Sequence, residues 1–99
     1  MEKLKIGPYI WEIIEKPEKD FPDFGEASLD KLIITVRENL PKDVRTVTIL
    51  HEVLHASFSS GGLILKQEEL VVDFLASQIF LFIRENPNFI KYLDQQINS

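Results

Sequence analysis

Between residues 4 and 15, β-branched, aromatic and charged residues alternate around a Gly7-Pro8 break, which predicts one or two strands. Residues 16–28 hold Pro17, Pro22, Gly25 and several charges and read as a loop or hairpin connection. Within 30–37 lies a run of β-formers, Leu32-Ile33-Ile34-Thr35-Val36, that predicts a further strand. The period then changes. Asn39-Leu40-Pro41 marks a helix start, with Pro41 near the first turn and Asp43 placed to favour the positive helix end. Helical spacing predicts a first helix over 41–58, stopped by Ser59-Ser60-Gly61-Gly62. A second is expected over 66–85, ending at Asn86-Pro87 because proline disfavours helix in the residue before it. Residues 88–97 predict a short third helix. Strands followed by helices give an α+β arrangement, and 99 residues leave room for one domain, 1–99.

Composition narrows the function classes. The chain is 44% hydrophobic and 27% charged, ordinary for a folded domain. Eleven basic against sixteen acidic residues give a net charge of −5, which argues against nucleic acid as the main partner. With no cysteine there is no disulfide framework, thiolate metal site or cysteine nucleophile. The first residues carry no apolar signal segment. The apolar run 70–83 is too short for a membrane span and contains Asp73 and Gln78. A cytoplasmic protein that does not engage a membrane is the expectation.

Only two histidines are present, and both fall in His51-Glu52-Val53-Leu54-His55, an H-E-x-x-H motif on the first expected helix. Residues four apart share a helix face, so two imidazoles reach one metal ion. Glu52 stands about 100° round from His51, away from the ligand direction but within reach of a water that zinc acidifies. Val44, Val47, Leu54 and Phe58 share the histidine sector, Ile49, Val53 and Ala56 lie opposite, and Arg45, Thr48, Glu52 and Ser59 form a narrow polar strip. That strip is where a solvent-facing cleft is expected.

A catalytic zinc site takes three protein ligands and keeps one position open. The positions that would supply a third histidine in the longer H-E-x-x-H-x-x-G-x-x-H pattern hold Phe58 and Gly61, so the third ligand is an oxygen. The second helix offers Glu68, Glu69 and Asp73. Glu69 and Asp73 are four apart and head a face that continues with Val72, Ala76, Phe80 and Ile83. The simplest arrangement puts Glu69 on the metal and Asp73 on the outer N–H of a histidine, with Glu68 or Asp73 the alternative ligand. Val71, Leu75 and Phe82 lie on the far side of that helix, which is therefore apolar nearly all round. That points to a homodimer or a protein partner.

The stretches Thr46-Val47-Thr48-Ile49-Leu50-His51-Glu52-Val53-Leu54-His55-Ala56 and Glu68-Glu69-Leu70-Val71-Val72-Asp73-Phe74-Leu75-Ala76, followed by Asn86-Pro87, resemble the small phage and prophage relatives of the ImmA/IrrE metallopeptidases, within the zincin-like group. The resemblance implies a small sheet, an active-site helix and a second helix giving a glutamate ligand. Glu69 and Asp73 match the E-x-x-x-D/N pattern of such zincins. It implies a zinc-dependent peptidase with His51, His55 and Glu69 on one zinc ion and Glu52 as general base, acting on a peptide or protein substrate. The strand around 33–36 is the expected edge for an extended peptide. The alternative is a non-catalytic metal-binding protein with a structural or regulatory partner. Glu52, which a purely structural site does not need, favours catalysis.

Overall fold

The alternation of the first sixteen residues closes as a hairpin. In the computed structural model, which describes residues 2–99, strands β1 (Glu2–Ile6) and β2 (Tyr9–Lys16) pair antiparallel with Ile6 opposite Tyr9. Gly7 takes the left-handed conformation that this tight turn requires, with φ 60°. Strands β3 (Gly25–Ser28) and β4 (Ile33–Arg37) complete a four-stranded mixed sheet in the order β1-β2-β4-β3. β4 runs parallel to β2 and antiparallel to β3.

Two expectations are corrected by this topology. Residues 16–28 are not all loop, because Gly25–Ser28 forms β3 on the rim of the sheet. β4, expected as an edge, is held on both sides by β2 and β3, so its backbone has no free side for a peptide. β3 holds that edge position instead.

Three helices follow: α1 (Lys42–Gly61), α2 (Glu68–Glu85) and α3 (Phe89–Ile97). α1 starts with Pro41 at its N-cap and Asp43 in its first turn. It runs three residues past the expected stop. Gly62, left-handed at φ 71°, closes it by donating its N–H to the Ser59 carbonyl while Leu63 donates to Phe58.

α1 lies on the sheet against β1, β3 and β4, and α2 packs on α1. Trp11 and Ile13 from β2, Ile34 and Val36 from β4, Ile6 and Ala56 form the core, with Ile49 and Val53 of α1 packed against it. Each fully buried aliphatic side chain stabilises the fold by about 1.5–3 kcal/mol. Trp11 is fully buried and its indole N–H donates to Ser60 Oγ at 3.3 Å, which ties the end of α1 to the sheet.

On α2, Val72 and Ala76 are buried, Val71 and Leu75 half-buried, and Leu70, Phe74, Leu81 and Phe82 exposed. The outward apolar stripe is thus Leu70, Phe74 and Leu81, while Phe82 packs edge-on against Phe89 of α3 with ring centres 5.0 Å apart. Among the described residues, no helix is long and apolar enough to cross a membrane.

Candidate metal centre

His51 and His55 project from adjacent turns of α1 toward the start of α2, where Glu68 and Glu69 occupy the first turn and Asp73 the next. The Nε2 atoms of the two histidines are 3.1 Å apart. Glu69 reaches both, with Oε1 2.8 Å from His51 Nε2 and Oε2 2.8 Å from His55 Nε2. The outer nitrogens have carboxylates of their own. His55 Nδ1 is 2.7 Å from Glu68 Oε2, and His51 Nδ1 is 3.0 Å from Asp73 Oδ1.

Each ring nitrogen thus has a carboxylate beside it. In the form suited to a metal, the Nδ1–H of His55 donates to Glu68 and Nε2 is left as a lone pair. The same holds for His51 beside Asp73. In that form two nitrogen lone pairs and two carboxylate oxygens crowd one point with no donor among them. Such a set repels itself unless a cation or protons enter it. Its dimensions fit a cation: two nitrogens bound to one tetrahedral ion at about 2.0–2.1 Å would stand roughly 3.3 Å apart. His51, His55 and Glu69 therefore form a group that could hold a metal ion.

Charge settles the metal-free site differently. Burial lowers the pKa of His55, yet the hydrogen bond to Glu68 and the charges of Glu69, Glu52 and Glu68 outweigh it and hold the imidazole above its ordinary value. Glu52 moves up as well. Its burial disfavours the carboxylate more than the neighbouring His51 and His55 restore it, and Glu69 and Glu26 add to the rise. Only 7% of Glu52 is exposed. Its Oε2 stands 4.0 Å from His51 Nε2, beside the group formed by His51, His55 and Glu69 but outside it.

The expected polar strip of α1 is divided by β3. Thr48 and Glu52 are buried beneath Gly25, whereas Arg45 points away and pairs with Glu15 at 2.8 Å. Ser59 does line the cleft. That cleft is a cavity of about 880 Å³ bounded by β3, α1 and the first turns of α2. Phe24, Ala27, Val44 and Val47 give it an apolar wall, and His51, Glu52, His55 and Glu69 sit together on its surface.

β3 turns a usable edge to this cavity. The Arg37 N–H donates to the Phe24 carbonyl, and by antiparallel alternation Glu26 and Ser28 bond inward to β4. The N–H and C=O of Gly25 and Ala27 therefore face outward, away from β4.

The structure brings His51, Glu52, His55, Glu69 and Asp73 together at one cavity. Glu68, expected as an alternative ligand, stands on Nδ1 of His55. Thr48 belongs to the polar strip expected at the cleft; Gly25 was not expected near the site, and its one signal was the glycine itself, read as loop punctuation. Tyr9 is on β2 and Tyr92 on α3, and neither lines the cavity. Comparison of the chain with protein-family models, with curated proteins and with solved structures gives no match. The resemblance to the ImmA/IrrE family thus rests on the sequence motif.

Proposed function

We propose that this chain is a minimal zincin-like, zinc-dependent peptidase that hydrolyses a peptide bond beside His51, His55 and Glu69. The observation that carries the reading is the pairing of the His51–His55–Glu69 group with a buried carboxylate, Glu52, that no hydrogen bond engages among the described residues. A structural metal site has no use for such a carboxylate, and holding it in the cavity wall is costly.

His51 and His55 through Nε2 and Glu69 through its carboxylate would hold the zinc, and Asp73 and Glu68 fix the two rings by accepting their Nδ1–H groups. The zinc supplies Lewis-acid polarisation of the scissile carbonyl and lowers the pKa of a water nearby. Glu52 takes the proton from the attacking water and passes it to the departing amine nitrogen. Burial raises its pKa above the ordinary carboxylate value, the direction that favours both accepting and returning the proton. The outward N–H and C=O groups of Gly25 and Ala27 pair with an extended substrate backbone and hold its carbonyl over the cluster. The apolar wall of Phe24, Val44 and Val47 takes a substrate side chain.

The test is cleavage of a denatured protein and a peptide library by zinc-loaded protein. Hydrolysis that disappears in Glu52→Gln while zinc affinity is kept supports the peptidase. Full zinc binding with no cleavage of any peptide refutes it in favour of a non-catalytic metal-binding role. Hydrolysis that survives Glu52→Gln refutes the role given to Glu52.

A further inference from the structure

Gly25 sits where β3 crosses α1, and it passes closer to the helix than any other side chain would allow. A Cβ built on it would stand 2.7 Å from Thr48 Cγ2, 3.0 Å from Glu52 Cγ and 3.2 Å from Glu52 Oε2. Thr48 and Glu52 are one turn apart on α1 and both are buried. The conformation of Gly25 is not the left-handed one that favours glycine, since its φ is not among the positive values. The backbone would accept another residue; the space would not.

We infer that Gly25 is a positioning residue for Glu52. By leaving out a side chain it lets the edge strand close directly over the carboxylate, and so fixes the base at one distance from the backbone that holds the substrate. The inference rests on the peptidase reading for its consequence and on the contact distances for its geometry. One residue supplies both parts. Its N–H and C=O lie in the plane of the sheet and point outward to the substrate, while its missing Cβ would point at Glu52. An added methyl therefore leaves the strand edge free and crowds both Thr48 and the Glu52 carboxylate beneath it. The contacts at 3.0 and 3.2 Å ask Glu52 to shift by a few tenths of an ångström. A misplacement of about 1 Å costs on the order of 10²-fold in rate, so this smaller shift costs about 3–10-fold.

Thr48 makes the inference separable from a plain packing effect. Its Cγ2 makes the tightest contact, so Thr48→Ser removes the clash with the helix and leaves the crowding of Glu52 in place. The experiment compares wild type, Gly25→Ala, Thr48→Ser and the double variant. It reads thermal melting of the metal-free protein, zinc affinity by chelator competition, and kcat and KM on a cleaved peptide.

Gly25→Ala is expected to lower the melting temperature by several degrees, with most of the loss recovered by Thr48→Ser. The double variant keeps KM and zinc affinity within about twofold while kcat stays down by roughly 3–10-fold. Recovery of wild-type kcat in the double variant would mean that Gly25 only packs, and overturns the inference. Wild-type melting and kcat in Gly25→Ala alone would overturn it too.

A protein that cleaves no peptide removes the peptidase reading without deciding this contact, which melting decides by itself. In a Glu52→Ala background, Gly25→Ala with Thr48→Ser should melt like Thr48→Ser alone, whereas with Glu52 present it should melt lower. An equal change in both backgrounds overturns the positioning contact.

Discussion

The two carboxylates on the outer histidine nitrogens are unequal, and their difference is measurable. Glu68 lies 2.7 Å from His55 Nδ1 with its side chain 29% exposed; Asp73 lies 3.0 Å from His51 Nδ1 with its side chain 60% exposed. A carboxylate behind a metal-binding histidine fixes the ring and raises its basicity, and its loss lowers metal affinity by about 10–100-fold. That range corresponds to about 1.4–2.7 kcal/mol. Screening by water weakens a charge interaction, so the shorter and better shielded Glu68 contact belongs at the upper end and Asp73 at the lower. Glu68→Ala is thus expected to weaken zinc binding by close to 100-fold and Asp73→Ala by close to 10-fold. Glu68→Gln, which can still accept the Nδ1–H but lacks the charge, falls between wild type and Glu68→Ala. Competition against a chromophoric chelator at fixed pH and ionic strength measures all three. The reasoning is refuted if Glu68→Ala stays within threefold of wild type, or if Asp73→Ala costs more than Glu68→Ala.

Further outcomes follow from the same geometry. His55 and Glu52 both titrate above their ordinary values of 6.5 and 4.5, so the metal-free folded state holds protons that the unfolded chain has released. Their contribution to stability is complete below those ordinary values and is lost as pH rises through the raised ones. Melting of the metal-free protein relative to a Glu52→Gln/His55→Ala variant should therefore fall across that window, while zinc affinity rises with pH as His55 gives up its proton; opposite slopes contradict the assignment. Gly62→Ala should cost about 1 kcal/mol in urea unfolding, because nothing lies within 4 Å of the added methyl and only the left-handed backbone is penalised. A loss above about 3 kcal/mol would point to a packing role instead. Peptides with lysine or arginine should outcompete those with aspartate or glutamate. Glu26, Asp43, Glu68, Glu69 and Asp73 line the cavity and no lysine or arginine does, and added salt should shrink the preference. An acidic preference would contradict the cavity assignment.

The local features of this fold were legible residue by residue. The i, i+4 histidines, the carboxylates one and two turns into α2 and the glycine stop of α1 follow from helix geometry, which a sequence states directly. What escaped was tertiary. Gly25-Glu26-Ala27-Ser28 has weak β propensity and is a strand because β4 offers it a partner, so it read as loop. From that one omission came the others. Without β3 the Ile33–Arg37 strand looked like an edge, and Thr48 and Glu52 looked solvent-facing. Glu68 and Glu69 are adjacent and point about 100° apart on α2, so one helix could not give both to the same ion. The packing of α2 on α1 decided which histidine nitrogen each carboxylate meets.

The central claim is that His51, His55 and Glu69 bind one divalent cation through Nε2, Nε2 and a carboxylate. Metal content of the purified chain after zinc loading and desalting, compared with Glu69→Ala, tests it most directly. The proposed site predicts close to one zinc per chain for the wild type and a loss of at least 100-fold in affinity for Glu69→Ala. Less than about 0.1 zinc per wild-type chain, or wild-type affinity in Glu69→Ala, would contradict it.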